Sequence, residues 1–180
     1  DLSNDLSHSL RRQFMTTLEA LGIGVDSAHH EIGSGQHEID LDYRDALVMA
    51  DQLLTARAAL RSVALRHGLH CTFMPRPSAA LPGSGMHTHQ SLHDRETGLN
   101  VFADPAHQYG LSETARFFLA GQLAHARAIT AVLAPLVNSY KRLATSFEAP
   151  RYIAWGHVNR AGAAMIRVPL GWTQQDNLAA

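Results

Sequence analysis

Residues 29 to 40, HHEIGSGQHEID, hold two segments of strand character separated only by Gly33-Ser34-Gly35. So tight a reversal joins Glu31 to Gln36 as a hairpin, because a crossover to a parallel strand takes about a dozen residues or more. The second arm, His37 to Tyr43, sets Ile39, Leu41 and Tyr43 against Glu38, Asp40 and Asp42, the period of a strand with one face buried. Around this hairpin the periodicity changes from two to about 3.6. After the capping residues Ser3, Asn4 and Asp5, apolar Leu10, Phe14, Leu18 and Leu21 recur at helical spacing until Gly22. A second helix is expected from about Tyr43 through Leu47, Leu54, Leu60 and Val63 to Gly68. A third runs from Ser112 through Phe117, Leu119, Leu123, Ile129 and Leu133 until Pro135 interrupts it. Further strands are expected at 23–27, 69–74, 86–92, 152–155 and 163–168. Long helices and an antiparallel sheet make the expected class α+β.

Size and charge narrow the function. With 180 residues, 46% of them hydrophobic, the chain has apolar mass for one continuous core. Fifteen basic against sixteen acidic residues give a net charge of -1, so no broad field collects nucleic acid or an anionic membrane. No apolar stretch approaches the length of a membrane span, and the first residues lack the basic and apolar regions of an export signal. Cys71 is the single cysteine and lies in an apolar run, which fits a buried thiol in a reducing cytoplasm. The chain starts without methionine, which suggests a piece of a longer protein.

Three stretches carry chemistry. Glu31 and Glu38 flank the glycine turn and face each other across the hairpin. Paired carboxylates without a nearby thiolate suit Mg²⁺ or Mn²⁺ better than zinc, and His29 and His30 add donors beside them. In PGSGMHTHQS, residues 82 to 91, His87 and His89 point the same way if residues 86 to 92 form a strand. Gly83 and Gly85 beside them allow a ligand to approach the backbone. Finally NSYKRLATSFEAP, residues 138 to 150, followed by Arg151, Arg160 and Arg167, forms a local cationic patch whose guanidinium forks match carboxylate or phosphate. A divalent metal, a close backbone and a set of arginines together describe a site for a metal-nucleotide and an anionic substrate, held without a Walker-type loop. A zinc hydrolase using His87, His89 and His157 is a competing reading. A non-catalytic remnant, kept for assembly or regulation, is another.

In order and spacing, HHEIGSGQHEID, FMPRP, GSGMHTHQSL, NSYKRL, FEAP and NR...IRVP resemble the catalytic domain of the glutamine synthetase family and its relatives, the γ-glutamyl amine ligases. The resemblance implies a curved antiparallel sheet with long helices packed on one side. It implies ATP-dependent condensation of glutamate with ammonia or an amine through a γ-glutamyl phosphate, with Mg²⁺ or Mn²⁺ as cofactor. Carried across, Glu31 and Glu38 match ligands of one metal site and His87 a ligand of another. Gly83, His87 and Arg142 match the glutamate-binding positions. His89, Ser91 and Arg167 match nucleotide contacts, with Tyr43 near the adenine. Arg160 resembles the arginine of phosphoryl transfer, and Glu148 the flap acid that takes a proton from the incoming ammonium.

Some positions depart from the family pattern. Pro82 stands where the family usually has asparagine, the flap reads ATSFEAP, and two extra residues separate Arg160 from Arg167. The family's amino-terminal β-grasp domain and its remaining metal ligands would lie outside these residues. The family's site forms between neighbouring subunits of a homo-oligomeric ring, so the chain by itself is expected to be inactive.

Overall fold

The structure, a computed structural model, describes residues 7–145, 149–157 and 164–168. In chain order the elements are α1 (His8–Ala20), β1 (Val25–His30), β2 (His37–Leu41), α2 (Ala46–Arg66), a 3-10 turn (Gln108–Gly110), α3 (Glu113–Ala124), α4 (Ala126–Leu133), α5 (Val137–Thr145), β3 (Tyr152–His157) and β4 (Ala164–Val168). The fold is α+β. The chain divides into two compact units, Asp1–Phe73 and Met74–Ala180.

In the first unit, α1 packs on α2 and on β1. Phe14 and Leu18 from α1, Ile23, and Ala56, Leu60, Val63 and Ala64 from α2 form its core, with Ile39, Leu41, Cys71 and Phe73 against it. Each helix stops at a glycine with left-handed backbone, Gly22 at φ 76° and Gly68 at φ 68°, where a side chain would be strained. Asp45 opens α2 by accepting from the Leu47 N–H at 3.0 Å.

The hairpin forms as its glycine turn dictates. β1 and β2 pair antiparallel, with Ala28 opposite Ile39, His29 opposite Glu38 and His30 opposite His37. Gly35 takes φ 69°, the Gln36 N–H donates to the Gly33 carbonyl at 2.9 Å, and the Gln36 Oε1 accepts from the Gly33 N–H at 3.0 Å. Between Val25 and Ser27 the register shifts by a bulge. That extra residue lets Val25 join Ile39 and Leu41 on the core while Ser27, His29 and Glu38 face outward.

In the second unit α3 packs against α4 and β3, and Phe102, Leu111 and Ala115 form a separate small core. Among the described residues the apolar mass thus divides into two clusters instead of the one continuous core expected from composition.

Several expected elements differ. Residues 69–74 and 86–92 form no ladder among the described residues. The first keeps the strand alternation, with Cys71 and Phe73 turned to the core. Arg57 and Arg61 guanidinium groups lie 5.0 and 5.3 Å from the Phe73 ring centroid. Backbone alternation alone makes no strand; a partner edge must take up its N–H and C=O groups. The sheet is likewise two separate pairs among the described residues, and β3 and β4 run parallel. A period of two reads identically in both directions, and the short connection between β3 and β4 would by itself favour the antiparallel sense, so neither feature of the sequence indicated a parallel pair. The third expected helix is broken at His125 (φ -102°, ψ 9°) into α3 and α4, four residues after Gly121. A helix, α5, occupies 137–145, where only a charged patch was expected. The expected caps Ser3, Asn4 and Asp5 lie outside the described residues.

Candidate functional site

The outward face of the hairpin gathers three metal-capable side chains. Because His29 is paired with Glu38 across the strands and Glu31 follows His29 by two residues, register alone places all three on one side. Their donor atoms lie within 4.8 Å of one another. His29 Nε2 is 3.6 Å from Glu31 Oε1 and 3.8 Å from Glu38 Oε2. Half of the His29 side chain is exposed, so the face is open to an ion.

The two carboxyls are driven apart in acidity. The Ile32 N–H, donating to Glu31 Oε2 at 2.8 Å, holds the Glu31 carboxyl below its ordinary range, with help from Glu38. Burial pushes the Glu38 carboxyl up, and the neighbouring Glu31 and Asp40 add to it. Two acids that resist sharing negative charge are relieved by a cation between them. The donor set fits a divalent ion: hard oxygens from two carboxylates, an imidazole, and no thiolate.

The opposite face serves the core. His30 and His37 stack edge to face at 5.3 Å, and Arg11 of α1 donates from Nη1 to His37 Nδ1 at 3.2 Å. A guanidinium only donates, so His37 Nδ1 is the acceptor and its proton sits on Nε2. Tyr43 follows β2, outside the strand and exposed.

In the second unit, Gly83, Gly85, His87 and Arg142 come together. A Cβ at Gly83 would lie 2.5 Å from the Pro75 carbonyl oxygen and 2.9 Å from Arg142 Cγ. A Cβ at Gly85 would lie 2.8 Å from Arg142 Nη2 and 3.0 Å from His87 Nε2. Both positions therefore need glycine if the Arg142 side chain is to run beneath the loop. Burial lowers the Arg142 pKa from the ordinary guanidinium value, although an arginine stays charged in proteins. A partly desolvated cation beside side-chain-free backbone is suited to a carboxylate.

The loop is held by contacts distant in sequence. The Ser84 N–H donates to the Pro75 carbonyl at 2.9 Å, and Asn138 on α5 bonds both backbone groups of Arg76. Arg76 Nη2 donates to the Ala79 carbonyl at 3.0 Å. Asn138 opens the NSYKRL stretch, but no feature of the sequence assigned it this contact with Arg76.

The expectation that His87 and His89 share a strand face is corrected: residues 86–90 are irregular, and both histidines are exposed. With it goes the geometric basis of the His87, His89, His157 zinc reading. Among the described residues, the group with metal-ligand geometry is His29, Glu31 and Glu38. Ser91 Oγ bonds His93 Nε2 at 3.1 Å, and His93 Nδ1 bonds the Gly98 carbonyl at 3.1 Å. Arg167 is on β4, its backbone opposite Gly156. Glu148 and Arg160 lie outside the described residues.

The chain is similar to known proteins over most of its length. The family model described as glutamine synthetase, catalytic domain, matches residues 2–178. A glutamine synthetase of Halobacterium salinarum is 54% identical over 165 residues, which are 92% of this chain and 36% of that protein. One of Thermus thermophilus is 50% identical over the same shares. The chain therefore spans about a third of the length of these relatives. Among solved structures, Plasmodium falciparum glutamine synthetase superposes with a TM-score of 0.88 at 32% identity, covering 96% of this chain and 33% of that one. A structure of GmaS without ligand gives 0.79 at 41% identity, covering 91% and 38%.

Proposed function

Since the chain belongs to the glutamine synthetase catalytic-domain family, we propose that it is part of an ATP-dependent ligase that forms a γ-glutamyl amide from glutamate and ammonia. The γ-carboxylate oxygen attacks the terminal phosphorus of ATP and ADP leaves. Ammonia then attacks the carbonyl carbon of the γ-glutamyl phosphate, and phosphate leaves. The observation that carries the reading is the Glu31–Glu38 pair across the hairpin, with donors close enough for a divalent cation. Mg²⁺ or Mn²⁺ held there supplies charge neutralisation on the phosphates.

The remaining roles belong to the same proposal. His87 is a ligand in a second metal site. Arg142 takes a glutamate carboxylate, and the Gly83 backbone approaches the same substrate; the Arg142–Gly83 packing supports both. His89, Ser91, Tyr43 and Arg167 contact the nucleotide, Arg160 stabilises the transferring phosphoryl group, and Glu148 takes the proton of ammonium. The protein works in the cytoplasm as a homo-oligomeric ring, and a β-grasp domain with further metal ligands completes it. The 180-residue chain alone is then inactive.

Ammonium-dependent ADP release by the full-length protein containing this chain tests the reading. Loss of at least a hundredfold in kcat/KM is expected for Glu31→Gln. Full activity in that variant overturns it, and γ-glutamyl transfer by the isolated chain overturns its inactivity.

A second reading is a ligase for an organic amine. Pro82 in place of the family's asparagine favours it, as does the likeness to GmaS, a γ-glutamylmethylamide synthetase. A panel of ammonium, methylamine, ethanolamine and polyamines separates the two; exclusive use of ammonium removes the second.

A further inference from the structure

We propose that His93 sets the base preference of the nucleotide site: it takes up the Ser91 hydroxyl proton, so that Ser91 meets the ligand as a hydrogen-bond acceptor fitted to the exocyclic amine of adenine. The inference rests on the nucleotide contact proposed for Ser91 in the previous subsection.

The tautomer carries the argument. His93 Nδ1 lies 3.1 Å from the Gly98 carbonyl oxygen, and His93 Nε2 lies 3.1 Å from Ser91 Oγ. A carbonyl only accepts, so the ring proton sits on Nδ1, and in the neutral ring Nε2 is left with its lone pair. The Ser91 hydroxyl has one proton, and it donates that proton to Nε2. What Ser91 then presents to a ligand is oxygen lone pairs.

A tight turn holds the ring in this state. His93 bridges to Asn100, the Val101 N–H donates to the Leu92 carbonyl at 2.9 Å, and the Asp94 N–H donates to the Leu99 carbonyl at 2.8 Å. Asp94 Oδ1 accepts from the Thr97 N–H and the Thr97 hydroxyl, both at 2.8 Å, and Gly98 takes φ 69°. The Phe102 N–H donates to Oδ1 of the buried Asn100 at 2.8 Å, which ties the turn to the small core of this unit. The Gly98 carbonyl is therefore fixed beneath Nδ1, and a change of tautomer would break that bond.

Ligand chemistry gives the preference. Adenine carries an amine that donates where hypoxanthine and guanine carry a carbonyl that accepts. An acceptor-only Ser91 pairs with the amine and repels the carbonyl. A ribose hydroxyl both donates and accepts, so it meets either orientation of Ser91. Without His93 the Ser91 hydroxyl can turn and donate to the carbonyl, and the discrimination goes.

The test is calorimetric titration of the full-length protein containing this chain with the magnesium complexes of ADP, IDP and 2′-deoxyADP. His93→Phe keeps a ring and removes both nitrogens, His93→Gln keeps an acceptor for Ser91, and Ser91→Ala removes the oxygen; circular dichroism verifies folding. Wild type is expected to bind ADP about tenfold or more tightly than IDP. In His93→Phe the ratio falls to within about threefold, mainly because IDP binds more tightly, a gain that general loosening of the site would not produce. His93→Gln keeps most of the preference, and the ratio of ADP to 2′-deoxyADP stays constant throughout. If Ser91→Ala weakens ADP binding while wild type and His93→Phe share one ADP-to-IDP ratio, the inference fails and the nucleotide reading of Ser91 stands. If His93→Phe loses preference for ADP over 2′-deoxyADP instead, Ser91 serves the ribose and the inference again fails. If wild type binds none of the three, or Ser91→Ala binds ADP as wild type does, both fail.

Discussion

Asn138 grips the backbone of Arg76 with both ends of its amide: the Arg76 N–H donates to Oδ1 at 2.6 Å, and Nδ2 donates to the Arg76 carbonyl at 2.9 Å. A residue in the first turn of α5 thereby fixes the start of a loop whose far end, Gly83 and Gly85, packs on Arg142 one turn further along the same helix. Removing the amide leaves two part-buried backbone groups without partners. Asn138→Ala should cost about 1–3 kcal/mol. Asn138→Asp keeps the acceptor and loses the donor, so it should fall between Ala and wild type. Urea denaturation gives the free energies, and hydrogen exchange at the Arg76 and Ser84 amides shows whether the loop loosens as expected.

The two loop glycines should respond differently to alanine. At Gly83 the new methyl meets a backbone carbonyl, which cannot step aside, and Gly83→Ala should destabilise by about 1–3 kcal/mol. At Gly85 it meets the far ends of two side chains, Arg142 and His87. Gly85→Ala should leave stability nearly unchanged and instead displace those groups, which, on the role proposed for Arg142, weakens glutamate binding severalfold. Thermal denaturation of both variants, beside glutamate KM in the full-length protein, separates the cases.

Leu18 is fully buried between α1, α2 and the hairpin. Leu18→Ala should lose about 2–5 kcal/mol from transfer and cavity terms together. Because the second unit has its own core, the loss should appear in hydrogen exchange of α1, α2 and the hairpin first, and little in α3. Equal loss of protection in α3 would show that the two units unfold together.

Burial pushes the Cys71 thiol up from its ordinary value, and Arg61 offsets this only in part. The sign is that of an acid whose charged form is disfavoured, so less thiolate exists at any given pH than for a free cysteine. Alkylation by iodoacetamide should be several-fold slower than that of a free thiol at pH 8, with the rate still climbing beyond the free thiol's midpoint. A rate profile that matches a model thiol would contradict the buried placement.

Local features were legible in the residues themselves. A three-residue glycine turn admits few backbone solutions, so the hairpin, and with it the placing of Glu31 and Glu38 on its two arms, followed directly from Gly33-Ser34-Gly35. Gly22 and Gly68 marked helix ends for the same reason. What the sequence left open were relations between distant segments. His29 and His30 are chemically identical; alternation puts His29 on the Glu31 face, but only the register set it opposite Glu38. The strand pattern of 86–92 found no ladder partner, the sense of β3 against β4 could not be read from alternation, and Asn138 reached Arg76 across 62 positions. Backbone preference is a property of a few adjacent residues, whereas pairing and packing depend on which surfaces meet once the chain has folded.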